Sequence, residues 1–290
     1  MIYGETQIKA FHESMKVMPR DVPRAKHLYI GFIPDSDVTA DLRETCEAVI
    51  DGWTQHHEET STQRDRRMRL NTSLSILGFH PPDYYDLQQD YYELQQNVVG
   101  GIISQHSGTL QTLSYLTPVI NINFQMFGWL SSLRNLTIVC LRYKSTFYDN
   151  VPLHRIIRFP RLECLHLSYF NTEPLFKYEK FDRVAPNLTH LRLSGRKCYP
   201  QLEKLPPRTK VLVQMILMSS QEQRAQISHM RKVLSHEPYS QRITLLEPGH
   251  REEGRYGFFD ALLDWLDVSF GGNAFWDAAN QVTISQLADR

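Results

Sequence analysis

The chain has 290 residues, of which 41% are hydrophobic and 22% are charged, and its 32 basic and 32 acidic residues give a formal net charge of zero. This composition is typical of a globular protein with a large core and excludes the strongly basic balance of proteins that bind nucleic acids or membrane surfaces. The longest apolar runs fall far short of the roughly 18 residues of a spanning helix, and the N-terminus lacks a signal-peptide layout.

The four cysteines are scattered without the close spacing of a metal site, at Cys46, Cys140, Cys164 and Cys198. We interpret them as reduced thiols, which predicts an intracellular protein, cytoplasmic or nuclear. The alternative is a zinc site at Cys164, His166 and His190, but zinc sites take their ligands in closely spaced pairs. We therefore predict no metal and no cofactor.

The first third of the chain alternates predicted helices and strands. Ile8, Phe11 and Met15 recur at helical spacing before Pro19, which ends the pattern. Further on, a long apolar stripe runs from Tyr84 to Ile102. The same periodicity argument predicts helices over residues 5–17, 38–55 and 83–105, and strands over 27–32 and 74–79.

The stretch Asp35-Ser-Asp37-Val-Thr39 follows a predicted strand and carries the sharpest enzyme-like signal. It resembles the nucleophile loop of haloacid-dehalogenase-type phosphatases, in which two aspartates act beside magnesium. The same residues suit a helix N-terminus, where Asp and Thr accept backbone N–H bonds. We prefer the helix interpretation and keep a magnesium-dependent phosphatase as an alternative. Arginines in the polar stretch 55–71 are interpreted as a solvated loop rather than a phosphate site: Arg64, Arg66, Arg67 and Arg69.

The middle of the chain contains an internal repeat. Phe159-Pro-Arg-Leu162-Glu-Cys-Leu165-His-Leu167 and Ala185-Pro-Asn-Leu188-Thr-His-Leu191-Arg-Leu193 share the pattern Pro-x-Leu-x-x-Leu-x-Leu, with Leu165 and Leu191 26 positions apart. Shorter copies end at Tyr115 and Ile138, and weaker ones contain Leu28 and Leu212. Spacings of 21 to 29 residues are typical of leucine-rich repeats, in which each repeat is one short strand plus a return segment.

These patterns predict an α/β fold: a leucine-rich-repeat-like solenoid with short parallel strands on the concave face and irregular helices and loops on the convex face. Leucines 113, 136, 165 and 191 are expected side by side and buried, because every return segment brings the chain back to the same edge. We expect one unit over 1–290: irregular N-terminal repeats with long helices (1–105), regular repeats (106–247), and a C-terminal capping helix and tail (248–290). Later elements are predicted as strands over 110–116, 133–141, 162–168, 188–194, 209–217 and 241–246, and as helices over 220–235 and 256–267, the last forming the cap with Phe275 and Trp276.

The repeat strands resemble the leucine-rich-repeat region of fungal F-box proteins over roughly residues 100–250. In that family the repeats hold a substrate, and an F-box ahead of them recruits the rest of a ubiquitin ligase. No F-box is found in this chain, so the resemblance implies a ligase scaffold as partner only if an F-box exists outside it. The asparagine that usually follows the repeat leucines is also replaced, at Pro118, Leu141, Phe170 and Arg196.

Alternation along each strand predicts a second, polar face. Residues that flank the inward leucines point to the other side of the sheet. Expected there are Thr112, Ser114, Asn135, Thr137, Cys164, His166, Ser168, His190, Arg192 and Ser194, followed by an apolar edge of Val211, Val213 and Met215. We predict an exposed partner site on this concave surface, centred on Asn135, Thr137, His166, His190 and Arg192.

The sequence therefore predicts a non-catalytic protein–protein interaction module, similar to the substrate-recognition region of an F-box-type ubiquitin ligase subunit. A structural or regulatory repeat protein unconnected with ubiquitin is the alternative. The expected partner is another protein, with neither nucleic acid nor membrane involved. The loops after the strands, at 143–150 and 172–177, are the competing surface for that partner.

Overall fold

The computed structural model describes residues 1–19, 24–31, 40–54, 94–117, 124–140, 158–168, 181–195, 202–216, 220–237, 239–249, 256, 258–272 and 283. Within these residues, eight strands form one open sheet in which every neighbouring pair is parallel and the spatial order follows the chain. The strands are β1 (Ile2–Tyr3), β2 (His27–Gly31), β3 (Thr112–Thr117), β4 (Asn135–Cys140), β5 (Cys164–Ser168), β6 (His190–Gly195), β7 (Lys210–Ile216) and β8 (Ile243–Gly249). The α/β class and the parallel sheet are as predicted.

The helices in the described part of the chain also follow the sequence pattern closely. They are α1 (Glu5–Val17), α2 (Ala40–Thr54), α3 (Gly100–Gln105), α4 (Phe181–Val184), α5 (Ser220–Leu234), α6 (Tyr239–Arg242) and α7 (Phe258–Ser269). A π-helical turn over Leu94–Val99 leads into α3, so the end of the predicted helix 83–105 is present. Residues 83–93 and the predicted strand at 74–79 lie outside the described residues. Strand β1 was not predicted, since two residues are too short to show a period.

The repeat leucines form a ladder across the sheet. Leu113 pairs with Leu136, Leu136 with Leu165, and Leu165 with Leu191, and all four are at most 3% exposed. The prediction of adjacent, buried leucines in parallel strands is therefore confirmed. Burying one such side chain is worth about 1.5–3 kcal/mol. The same row continues outward through Leu28, Val211 and Ile243, and this side of the sheet is called the leucine face below.

One hydrogen-bonding pattern repeats at the turn before successive strands. The backbone N–H groups of Arg134 and Asn135 both donate to the carbonyl of Gln111, at 2.8 and 3.0 Å. Two repeats later, Thr189 and His190 donate in the same way to Glu163, at 2.9 Å each. Backbone hydrogen bonds thus join each turn to the turn of the preceding repeat. They keep the strands in register even though the side chains differ from one repeat to the next.

The return segments cover the leucine face. Gln95 donates to the Thr117 hydroxyl at 3.1 Å, and the Phe127 ring packs edge-on to Tyr115 with centroids 6.2 Å apart. Thr117 and Tyr115 alternate with the polar-face residues of β3, so these contacts lie on the leucine side. Helix α1 joins this layer through contacts with α3 and the π-helical turn.

Helix α7 lies on the opposite face of the sheet. Its contacts are with β2, β3 and β4 and with α2, and Tyr29 of β2 donates to the carbonyl of Phe258 at 2.8 Å. The helix was expected to cap the C-terminal end of the repeats. It lies instead on the polar side of the sheet, over β2, β3 and β4. Its apolar side packs on the face that was expected to be open, because that face offers aromatic and small side chains at β2 and β3. Phe275 and Trp276, the other expected cap residues, lie outside the described residues.

Candidate functional site

The polar face is built from two rows of paired residues. The first row runs through Thr112, Asn135, Cys164, His190 and Lys210, each paired with the next. The second runs in the same way through Ser114, Thr137, His166, Arg192 and Leu212. The structure thus brings the five predicted site residues, Asn135, Thr137, His166, His190 and Arg192, onto one face of three adjacent strands.

Four of these five side chains are accessible and one is not. Asn135, Thr137, His190 and Arg192 are partly exposed, whereas His166 is 0% exposed. The expectation that His166 lies on the surface is wrong. The Tyr256 ring packs edge-on against it with centroids 4.3 Å apart, and His166 Nε2 and the Ser194 hydroxyl are 2.9 Å apart.

Burial also changes the titration of the two histidines. Desolvation, with help from Arg192, holds the pKa of His166 well below its usual value, so the ring is neutral at physiological pH. Burial and the nearby Lys210 lower the pKa of His190 as well. Both rings therefore gain their charge at a lower pH than an ordinary histidine does.

The strand phase of β7 differs from the sequence prediction. Val211 and Val213 pair with Leu191 and Leu193 and are 0% exposed, so they belong to the leucine face. The polar face of β7 carries Lys210, Leu212 and Gln214 instead. The apolar edge expected from Val211 and Val213 is therefore wrong, although Leu212 places one apolar side chain on that face, 6% exposed.

A polar cluster joins the segment before α7 to strands β5, β6 and β7. The Tyr256 hydroxyl donates to Asp264 Oδ2 at 2.6 Å, and the Arg192 guanidinium carbon lies 5.2 Å from the Tyr256 ring centroid. Arg192 Nη2 donates to Gln214 Oε1 at 3.0 Å. Stacking and hydrogen bonding together fix the direction of a long cationic side chain at the edge of the covered region.

Asp264 is the unusual titratable group of this cluster. Burial raises the pKa of its carboxyl to about 7, although Arg192 and the Tyr256 hydroxyl both act to lower it. At neutral pH the carboxyl is therefore partly protonated, and its negative charge only partly offsets the positive charge of Arg192. Sequence analysis missed both Tyr256 and Asp264, since no local pattern marks them.

A narrow crevice separates α7 from β3, β4 and β5. It has room for little more than a water molecule, and Asp264, Trp265 and Val268 face Thr112, Ser114, Asn135, Leu136, Thr137 and Cys164 across it. The pKa of the Cys164 thiol is raised to about 12 by burial and by Glu163, so it is not a nucleophile at neutral pH. Among the described residues, no three His, Cys, Asp or Glu side chains are grouped so as to hold a metal ion.

The accessible part of the polar face is called the open patch below. It consists of Asn135, Thr137 and Cys164, which are partly exposed beside the crevice under α7, and of His190, Arg192 and Lys210, of which Lys210 is the most exposed. The Thr189 hydroxyl donates to the Glu163 carbonyl at 2.9 Å and lies 2.9 Å from His190 Nδ1. The hydroxyl and Nδ1 thus share a hydrogen bond that orients the His190 ring. With the amide of Asn135 and the hydroxyl of Thr137 on the same face, the open patch offers both donors and acceptors.

Three other features raised by the sequence fall outside the described residues: the Asp35–Thr39 stretch, the arginines of the 55–71 stretch, and the loops at 143–150 and 172–177. No helix in the described ranges is long and apolar enough to cross a bilayer. Comparison with protein-family models, with curated proteins and with solved structures gives no match.

Proposed function

We propose that this chain is a non-catalytic module that binds another protein, and that its sheet is the concave side of a leucine-rich-repeat-like solenoid. The observation that supports a solenoid is the pairing of the repeat leucines between neighbouring strands. Leu113, Leu136, Leu165 and Leu191 recur at spacings of a leucine-rich repeat and pair directly with one another. A stack of units that each contribute one strand produces such a ladder, because no repeat buries its leucines alone.

The open patch is the proposed binding surface. Neighbouring parallel strands place Asn135, Cys164 and His190 about 5 Å apart although they are distant in sequence. The backbone beneath them is held by the ladder hydrogen bonds, so binding orders little additional chain. A rigid surface of this kind lowers the entropic cost of association.

The ubiquitin connection is a separate part of the proposal. Its support is the resemblance of the repeat strands to fungal F-box proteins, and a ligase scaffold is a partner only if an F-box exists outside this chain. A structural or regulatory repeat protein unconnected with ubiquitin uses the same open patch. The identity of a captured partner separates the two, because only the first version predicts ligase-scaffold proteins among those retained.

The test is affinity capture from native extract followed by binding measurements with the purified partner. The variant His190→Ala with Arg192→Ala removes the centre of the open patch, and Arg231→Ala, an exposed arginine of α5, is the matched control. We expect at least a tenfold loss of affinity for the double variant and no change for the control. All variants are first checked for normal melting.

A second variant addresses the competing surface. Tyr143→Ala with Phe147→Ala alters the segment after β4 that the sequence predicts as a loop, and changes no residue of the open patch. If the partner binds the His190/Arg192 variant at full affinity and is lost from the loop variant, the open patch is not the site and this proposal is wrong.

A further inference from the structure

The open patch has a charge bias that narrows the chemistry of its partner. Arg192 and Lys210 lie on adjacent strands, two positions apart along the register, a diagonal neighbour spacing of about 7–8 Å between Cα atoms. Exposed Arg208 lies in the turn just before Lys210. Cations therefore gather at the β6–β7 side of the patch.

Two carboxylates beside this face, Glu163 and Asp264, only partly offset these charges. Glu163 is engaged with Arg134 in an ion pair at 3.2 Å. Asp264 is linked to the Arg192 stack through the Tyr256 hydroxyl, and it is partly protonated at neutral pH. The β6–β7 side of the open patch thus keeps a local positive charge in a chain whose overall charge is zero.

Arg192 is also held ready for a planar anion. Its guanidinium packs over the Tyr256 ring and donates to Gln214, so less rotamer freedom is lost when a ligand arrives. A guanidinium donates in a fork that matches the two oxygens of a carboxylate. Lys210, on the next strand, supplies a second, mobile charge.

We propose that the partner contributes an extended acidic segment to the open patch, with one carboxylate on Arg192 and a second, two residues along, on Lys210. Alternate side chains of an extended chain lie about 6.6–7 Å apart on one face, which suits the spacing of the two cations. Asp264 competes with the segment for Arg192, and so the segment binds more weakly when Asp264 is charged. This inference rests on the proposed function, because it assigns a partner to the same surface.

The charged and titratable groups that bear on Asp264 are known. Arg192 and the Tyr256 hydroxyl favour its ionised form, whereas Asp260 and Asp267 on its own helix oppose it, and Cys164 faces it across the crevice. The thiol is protonated and carries no charge. Affinity for an acidic segment is therefore expected to fall as pH rises through about 7, and Asp264→Asn is expected to remove that dependence while keeping an acceptor for Tyr256.

The test uses the full chain and a fluorescent peptide of alternating Glu and Ser, with a Gln–Ser peptide and a single-stranded RNA oligonucleotide as comparisons. We expect the Glu peptide to bind, the Gln peptide not to bind, and added salt to weaken binding. Arg192→Gln is expected to lose about tenfold in affinity, the factor that corresponds to 1.4 kcal/mol. Lys210→Ala is expected to lose less affinity, because the Lys210 ammonium is solvated. The control Arg231→Ala is expected to keep the affinity of the parent chain.

Three results overturn the inference: no binding of the Glu peptide, equal binding of the Glu and Gln peptides, or tighter binding of the RNA. A Glu-peptide affinity that Arg192→Gln and Asp264→Asn both leave unchanged across pH 6 to 8 also overturns it. If the inference fails while His190→Ala with Arg192→Ala still abolishes binding of a captured protein, the proposed function stands and only the acidic nature of the partner is wrong.

Discussion

The two halves of the polar face have the same strand alternation and opposite surroundings. At β2 and β3, Tyr29, Thr112 and Ser114 are at most 4% exposed beneath α7. At β6 and β7, His190 and Arg192 are partly exposed and Lys210 is exposed, although Ser194 and Leu212 between them are at most 6% exposed. The difference lies in the side chains themselves: an aromatic ring and small hydroxyls accept an apolar helix, whereas the Lys210 ammonium and the exposed part of the Arg192 guanidinium would lose hydration beneath one. A repeat sheet can thus bury one half of its polar face and keep the other half for a partner.

The largest expected effect is the loss of the aromatic contact that seats α7. Phe258 is 0% exposed, and its ring packs edge-on to Tyr29 with centroids 5.5 Å apart. Phe258→Ala should lower the free energy of unfolding by about 3–5 kcal/mol, measured by denaturant titration. The control Phe270→Ala removes a ring that is 68% exposed and should change it by less than about 0.5 kcal/mol. Similar losses at the two positions would show that α7 does not cover the sheet.

A second pair of variants compares the two faces of one strand. Leu165→Ala should cost about 2–5 kcal/mol as a core truncation. His166→Ala should cost about 1–3 kcal/mol, because it removes a buried hydrogen-bonding group opposite Ser194. An exposed His166 would lose under roughly 1 kcal/mol in the same denaturant titration, and that result would contradict the packing of Tyr256 on β5.

These two strand positions show what the sequence could predict. The leucine ladder follows from alternation and repeat spacing, both of which are local. The burial of His166 depends on Tyr256, far along the chain, and alternation gives the direction of a side chain without saying what covers it. The phase of β7 was ambiguous for another reason: Val211, Leu212 and Val213 are all apolar, so only the pairing with β6 decides which face each one takes.

A smaller effect is expected at Gly31, where the backbone of β2 lies close to a side chain of α7. A Cβ on Gly31 would lie 2.7 Å from Phe258 Cε2, a distance that side chains do not tolerate without movement. Gly31→Ala should therefore destabilise the protein by about 1–3 kcal/mol through overpacking. Gly108, in the turn before β3, has nothing within 4 Å of an added Cβ. If Gly108→Ala lowers the melting temperature as much as Gly31→Ala, the close seating of α7 on β2 is wrong.

The last expected effect is a dependence of the free energy of unfolding on pH, at the boundary between the two halves. For each single pH unit it is smaller than the effects of the core truncations above. Because the Asp264 pKa is raised from 3.8 to about 7 in the folded chain, the folded state holds a proton that the unfolded state releases. The free energy of unfolding contributed by this group should fall as pH rises from about 4 to about 7, by at most about 1.4 kcal/mol per pH unit. Neutral His166 acts in the opposite direction below its usual pKa.

The variant Asp264→Asn isolates that contribution. We expect the difference in unfolding free energy between Asp264→Asn and the parent chain to grow in favour of the variant between pH 4 and 7 and to level off above it. Denaturant titrations at a series of pH values measure this difference, in which the histidine contributions cancel. A difference that does not vary with pH would mean that the carboxyl is solvated and that α7 leaves it open to water.

The division of the polar face is tested most directly by modifying the histidines with diethyl pyrocarbonate and mapping the products by mass spectrometry. His190 is partly exposed, His236 is exposed, and His166 is 0% exposed. In the free protein His190 and His236 should react while His166 does not, and a bound partner should protect His190 alone. Reaction of His166 as fast as His236, or partner binding that leaves His190 as reactive as before, would contradict a covered half beside an open patch that binds the partner.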